Sequence, residues 1–168
     1  MSDRAIGKLK TMIESWMIIG GVTFSVAMGT LFFKLRDINW AVKLQRPDWM
    51  FFEPAIPFIW TVIFSCGAGS ATFVWEQEPG SLKTWLLMAL YLLLEIVTVA
   101  YIPATLRAKS LKVGTILGGA GEVLGVVLTL AVLPISQTAA LLLLPYVIWG
   151  AIGTYTTWEM IDLNPEAA

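Results

Sequence analysis

Two carboxylates stand where a carboxylate is expensive. Glu95 and Glu122 each sit near the middle of a stretch of otherwise uncharged, apolar residues. At the centre of a bilayer an ionisable group costs roughly 2.5–3.5 kcal/mol on translocon scales, so it usually faces a cavity or a partner. Glu95 belongs to a helical stripe, with Tyr91, Thr98 and Ile102 at i−4, i+3 and i+7 and Tyr101 beside them. A carboxyl there donates a hydrogen bond when protonated and accepts one from a ligand N–H when ionised. The bland alternative is a bond to a hydroxyl such as Thr61 or Thr98. Glu122 lies among Gly114, Gly118, Gly121 and Gly125. Helix packing accounts for it at least as well as function.

Other chemistry is sparse. The chain has no His, which removes the usual haem axial ligand and the commonest transition-metal ligand. No obligatory cofactor and no metal site are expected. Cys66 is alone, so no disulfide forms within the chain. No nucleophile–base pair is legible, and any reaction would be carried by a bound ligand. A net charge of −1 gives no hint of nucleic acid. The eight Trp are the conspicuous resource.

The elements that must position these groups are five apolar stretches, roughly 16–33, 54–75, 85–104, 113–134 and 139–158. Each has about the 17–25 residues a helix needs to cross a ~30 Å hydrocarbon core. Composition agrees: 57% apolar, 14% charged, mean hydropathy +0.75. A bilayer admits only helices or closed barrels, and barrel alternation is missing. The expectation is all-α: a five-transmembrane-helix bundle, one domain over 1–168, with the lipid bilayer as its partner. No cleavable leader is evident, because charged residues follow the first stretch. Arg4, Lys8 and Lys10 are spaced along a tail that suits a short surface helix. Gly21, Ser25 and Gly29 form a small-residue ladder, for packing inside the bundle or for a dimer face.

The connection Lys34 to Glu53 is long, and its Trp40, Leu44, Trp49, Phe51 and Phe52 argue for a loop folded onto the helix ends as a lid. An interfacial aromatic belt is the competing reading. Trp60, Phe64 and Gly67 share one face of the second helix. Pro103 is expected to end or kink the third. On the fifth, Tyr146, Trp149, Gly150, Gly153 and Thr157 form one face. Trp60 and Trp149 are expected to face one internal cavity, against the alternative of lipid-facing packing. Trp16, Trp75, Trp85 and Trp158, at helix ends, read as belt. Basic residues divide as Arg4, Lys8, Lys10 and Lys83 against Lys34, Arg36, Lys43, Arg46, Arg107, Lys109 and Lys112. The richer side, with the long loop and the C-terminus, is expected in the cytoplasm.

The run Pro47-Asp48-Trp49, then Phe58-Ile59-Trp60-Thr61 and Phe64, ending at Trp75, resembles the translocator protein family, whose bacterial members are tryptophan-rich sensory proteins (TspO/MBR). The spacing follows the family's P-x-W-x-P-P-x-W-x-F-x-P-V-W-T-x-L-Y without a gap. Leu144-Pro145-Tyr146-Val147-Ile148-Trp149, Thr154-Tyr155 and Leu163-Asn164 match its last helix. The chain departs at Phe51 and Phe52 (paired prolines in the family), Pro54 (Trp), Glu95 (Asn in L-N-x-x-W-S), Thr157 (Asn) and Ile161 (Trp). A basic residue shortly after Tyr155, which the animal cholesterol motif needs, is missing. This is the pattern of a divergent bacterial-type member.

The resemblance implies a cavity under the first loop that binds porphyrin, haem or other tetrapyrroles, a homodimer, and a bacterial cell membrane. Family positions lining the cavity fall on Trp60, Phe64, Glu95, Thr98, Tyr101, Trp149, Gly150 and Gly153, with Tyr146 on the same face and Trp40 or Trp49 as a cap. Aromatic faces suit a wide flat ligand, each ring pair adding about 0.5–1.5 kcal/mol beyond area burial. Arg46 and Lys43 are placed to meet its propionates. Three functions stay open: a binding and sensory protein, an enzyme degrading bound porphyrin in light, and a small proton-coupled transporter using Glu95 and Glu122.

Overall fold

The computed structural model describes residues 14–32 and 38–168. The expected surface helix of the tail lies outside them, as do Lys34 and Arg36. The described residues form helices α1 (Ser15–Phe32), α2 (Ile38–Val42), α3 (Ile56–Gln77), α4 (Leu82–Ala108), α5 (Leu111–Val132) and α6 (Gln137–Leu163). A 3-10 turn, Glu53–Ala55, leads into α3, and another, Pro165–Ala167, follows α6. Strands are absent among the described residues. Four helices are long and apolar enough to cross a membrane, and α1 is a shorter apolar helix. Between 17% and 22% of each spanning window is buried inside the bundle. The outward remainder is apolar, as at Phe58, Leu82, Ile116 and Leu130, and only lipid can cover so large an apolar surface. The all-α membrane bundle of five helices is the observed architecture.

Helix ends differ from the apolar boundaries. α4 and α6 each run 27 residues, because serine caps start them outside the apolar runs. Ser81, Ser110 and Ser136 accept from the backbone N–H of Thr84, Val113 and Ala139, satisfying donors that a helix start leaves orphaned. Pro103 does not end α4; the helix continues to Ala108. Its stop is Lys109, left-handed at φ 48°, whose N–H returns to the Thr105 carbonyl.

Around the bundle the order is α1, α3, α6, α5, α4, with α4 returning to α1. The closest pair is α5–α6. The reason is the glycine row of α5. A Cβ on Gly114 would meet the Thr105 hydroxyl at 2.9 Å, one on Gly118 the Thr154 hydroxyl at 2.7 Å, and one on Gly125 the Tyr146 ring at 2.7 Å. The sequence left the partner of this row open; it is α6, with Thr105 of α4 joining at one end. The dry core lies at the end away from the loop, from Ala71 and Val74 through Leu87, Tyr91 and Leu94 to Leu128, Val132, Ala139, Ala140 and Leu143.

Candidate functional site

Above that core, at mid-bundle, lies a cavity of about 30 Å³ lined by Ile63, Phe64, Gly67, Tyr91, Leu94, Glu95, Thr98, Leu142, Leu143 and Tyr146. That volume suits water-sized occupants. Three helices build it. α3 brings Phe64 one turn past Trp60; α4 brings the Tyr91–Glu95–Thr98 stripe; α6 brings Tyr146.

Glu95 stands at the midpoint of α4. Its Oε1 accepts a hydrogen bond from the Thr23 hydroxyl of α1 at 2.6 Å. The partner is therefore neither Thr61, which donates to the Pro57 carbonyl, nor Thr98, which donates to the Leu94 carbonyl. Helical geometry returns these two hydroxyls to their own backbone four residues back, and α1 supplies what they do not. Sequence reading missed Thr23. A Thr near the middle of an apolar helix, found buried in the structure, was the available signal.

Tyr146 closes the cavity on its loop side. Its ring lies across Gly125, its hydroxyl against Gly121, and that hydroxyl pairs with Thr98 at 2.9 Å. Trp60 packs behind this wall, with ring centroids 6.3 Å from Tyr146 and 5.9 Å from Phe64. The expected site thus divides at Tyr146 and Trp60. Phe64, Glu95, Thr98 and Tyr146 line the cavity, while Trp60, Tyr101, Trp149, Gly150 and Gly153 are not among its lining residues. The reason is helical rise: they stand loopward of the Thr98–Tyr146 bond, and each turn moves about 5.4 Å. Tyr101 pairs with Thr157 on α6. The space before Gly150 is filled by Glu122, whose Oε2 is buried with no hydrogen-bond partner among the described residues. Gly153 faces open space.

Loopward again runs an aromatic seam. Trp149 packs edge-on against Phe52 at 5.6 Å, Phe52 on Trp49 at 6.0 Å, and Trp49 on Tyr155 at 6.1 Å. The Trp49 indole donates to Glu159 at 2.9 Å. The loop is folded onto the bundle end, and its second anchor was not foreseen. Asn164, 2% exposed, accepts from the Gln45 N–H at 2.7 Å and donates to the Gln45 carbonyl at 2.9 Å. Trp40 is half-buried on α2, and neither it nor Trp49 is among the cavity's lining residues. Within the loop, Arg46 Nε lies 2.9 Å from Glu53 Oε1 and its Nη1 donates to the Leu44 carbonyl at 2.9 Å. Lys43 is exposed.

The family profile described as TspO/MBR matches residues 17–163, which takes in the four long helices, nearly all of α1, the loop and the cavity. The chain belongs to the TspO/MBR family. Among its relatives, the "Tryptophan-rich protein TspO" of Bacillus cereus is 29% identical over 133 residues, covering 76% of this chain and 82% of that one. The "Uncharacterized membrane protein YtaB" of Bacillus subtilis is 25% identical over 130 residues, with the same coverage. Within the TspO/MBR fold seen here, the conspicuous tryptophans serve two places. Trp49, Trp60 and Trp149 hold the loop and the cavity wall. Trp16, Trp85 and Trp158 are each more than half exposed at helix ends.

Proposed function

We propose that this TspO/MBR protein binds flat apolar ring ligands of the tetrapyrrole type and has a sensory or regulatory role. One observation carries the reading: a carboxyl at the midpoint of a spanning helix borders a cavity walled by the rings of Phe64, Tyr91 and Tyr146. An ionisable group at that depth is expensive unless something polar comes to it. At about 30 Å³ the cavity is far smaller than a tetrapyrrole, so binding requires Trp60 and Tyr146 to swing and join it to the seam of Trp149, Phe52 and Trp49. The loop, anchored on α6 through Asn164 and Glu159, then reports occupancy to the surface. The reading includes a homodimer in a bacterial cell membrane, with the loop and C-terminus in the cytoplasm.

Titrating protoporphyrin into the detergent-purified protein tests this. Saturable quenching of tryptophan emission in the dark is expected, reduced by Trp60→Leu and Trp149→Leu. Unchanged emission defeats the reading. Loss of porphyrin absorbance under light, beyond that of protein-free micelles, would turn it toward a degrading enzyme. Crosslinking in membranes tests the dimer, and cysteine labelling from either face of sealed vesicles tests the orientation.

A further inference from the structure

Every hydroxyl proton at the cavity is already committed. Thr98 gives its proton to the Leu94 carbonyl at 2.7 Å, so the proton between Thr98 and Tyr146 comes from Tyr146. Ser70 gives its own to the Ala139 carbonyl at 2.7 Å, so the Ser70–Tyr91 bond uses the proton of Tyr91. Thr23 gives its proton to Glu95 Oε1. The remaining lining residues are apolar. What is left over is acceptor capacity: Glu95 Oε2 takes no hydrogen bond among the described residues and is not sealed from contact.

Among the described residues, no cation reaches that oxygen. Lys83 and Arg107 share α4 with Glu95 but stand roughly 18 Å away along the axis, at 1.5 Å per residue. Lys109 and Lys112 follow α4 at the same end as Arg107, and Lys43 and Arg46 lie in the loop. The titratable groups that share the cavity with Glu95 are Tyr91, one turn away on α4, and Tyr146 on α6; Glu122 lies beyond the Tyr146 ring, against Gly150.

We infer that Glu95, when ionised, makes this cavity a donor-seeking site, selecting apolar ring ligands that present a protonated amine or other N–H group at mid-membrane and rejecting those that present a carboxylate there. Charge-assisted hydrogen bonds are the strong ones, and the faces of Phe64, Tyr91 and Tyr146 add attraction for a cation. A carboxylate in the same place would meet the like charge of Glu95, which opposes it. The inference rests on the cavity being a ligand site, and it sets orientation for a tetrapyrrole: ring N–H groups toward Glu95, acidic edges away from it.

Three probes of one size decide it: 1-naphthylmethylamine, 1-ethylnaphthalene and 1-naphthylacetic acid. Each is measured near neutral pH by equilibrium dialysis against wild type and Glu95→Gln in the same detergent, so that micelle partitioning cancels. Wild type is expected to favour the amine over the hydrocarbon by at least about tenfold and over the acid by more. Glu95→Gln, which keeps the shape and can still accept from Thr23, is expected to lose the amine preference while retaining the hydrocarbon. If that variant does not purify folded, Glu95→Asp replaces it, with a preference several-fold smaller than wild type because the charge is withdrawn by one methylene.

An amine-to-hydrocarbon ratio equal in wild type and variant overturns the inference, as does tighter binding of the acid. Protoporphyrin binding without amine preference overturns the inference alone. Amine preference without protoporphyrin binding sustains it and overturns the tetrapyrrole reading. No binding of any probe or of protoporphyrin overturns both.

Discussion

Glu95 shows how one side chain sets the character of a membrane cavity. The family pattern that the sequence otherwise follows has an amide there, and a carboxyl differs in that it titrates. The bond from Thr23 fixes one oxygen and leaves the other without a hydrogen bond among the described residues. Glu95→Gln is therefore expected to flatten the pH dependence of porphyrin quenching between about pH 5 and 9, a range in which buried carboxyls titrate, while keeping most stacking affinity. Tyr91 and Tyr146 face the same space and stay as they are in both proteins, so the comparison isolates the carboxyl. Identical profiles would reduce Glu95 to a packing residue. Asn164 makes a second residue-scale case. Its buried amide both gives to and takes from the Gln45 backbone. Asn164→Ala leaves those two groups without this partner, at about 1–3 kcal/mol each where they stay dry. A lower melting temperature and faster proteolysis between residues 43 and 55 are expected; unchanged cleavage there would mean that Trp49 alone holds the loop.

The α5–α6 pair carries the clearest lesson about elements. Periodic glycines announce close approach but do not name the neighbour. Here α6 answers with Tyr146 against Gly121 and Gly125, Gly150 against Glu122, Thr154 against Gly118 and Thr157 against Gly114. Gly125 is the most demanding position. A Cβ there meets two carbons of the Tyr146 ring at 2.7 Å, and the ring cannot retreat without breaking its hydroxyl bond to Thr98. Gly125→Ala is expected to cost about 1–3 kcal/mol as overpacking and to displace the loop-side wall of the cavity. The check is thermal unfolding in detergent together with protoporphyrin affinity. Gly153→Ala, which adds a methyl into open space, is the control and should leave both unchanged. If the two variants behaved alike, Tyr146 would not be the wall described here.

Across the whole molecule, polarity is inverted along the bundle rather than from inside to outside. The outer surface is apolar, the largest apolar core lies toward the end away from the loop, and an aromatic seam runs from mid-bundle to the loop. Tryptophan placement makes this measurable. Single-tryptophan variants retaining Trp16, Trp85 or Trp158, all more than half exposed, should be strongly quenched by lipids brominated near the headgroup end of the acyl chain. Variants retaining Trp60 or Trp149, half-buried against Tyr146 or Phe52, should be quenched less. Equal quenching of all five would place Trp60 and Trp149 in lipid and dissolve the seam.

Much of this was determined by sequence alone. Runs of about twenty apolar residues permit only helices in a bilayer; the Trp-containing motifs point to the TspO/MBR family; an intramembrane carboxyl must have company. Those conclusions rest on local chemistry, which a linear string contains. Tertiary structure alone decided which company. Thr23 reaches Glu95 across 72 positions of chain, and Asn164 reaches Gln45 across 119. The one expected aromatic face of α6 splits, because Tyr146 turns onto the glycines of α5 while Trp149 turns to the loop. Periodicity places residues on a face. Only the rotation and depth of each helix against its neighbours divides that face into a cavity, a wall and a seam.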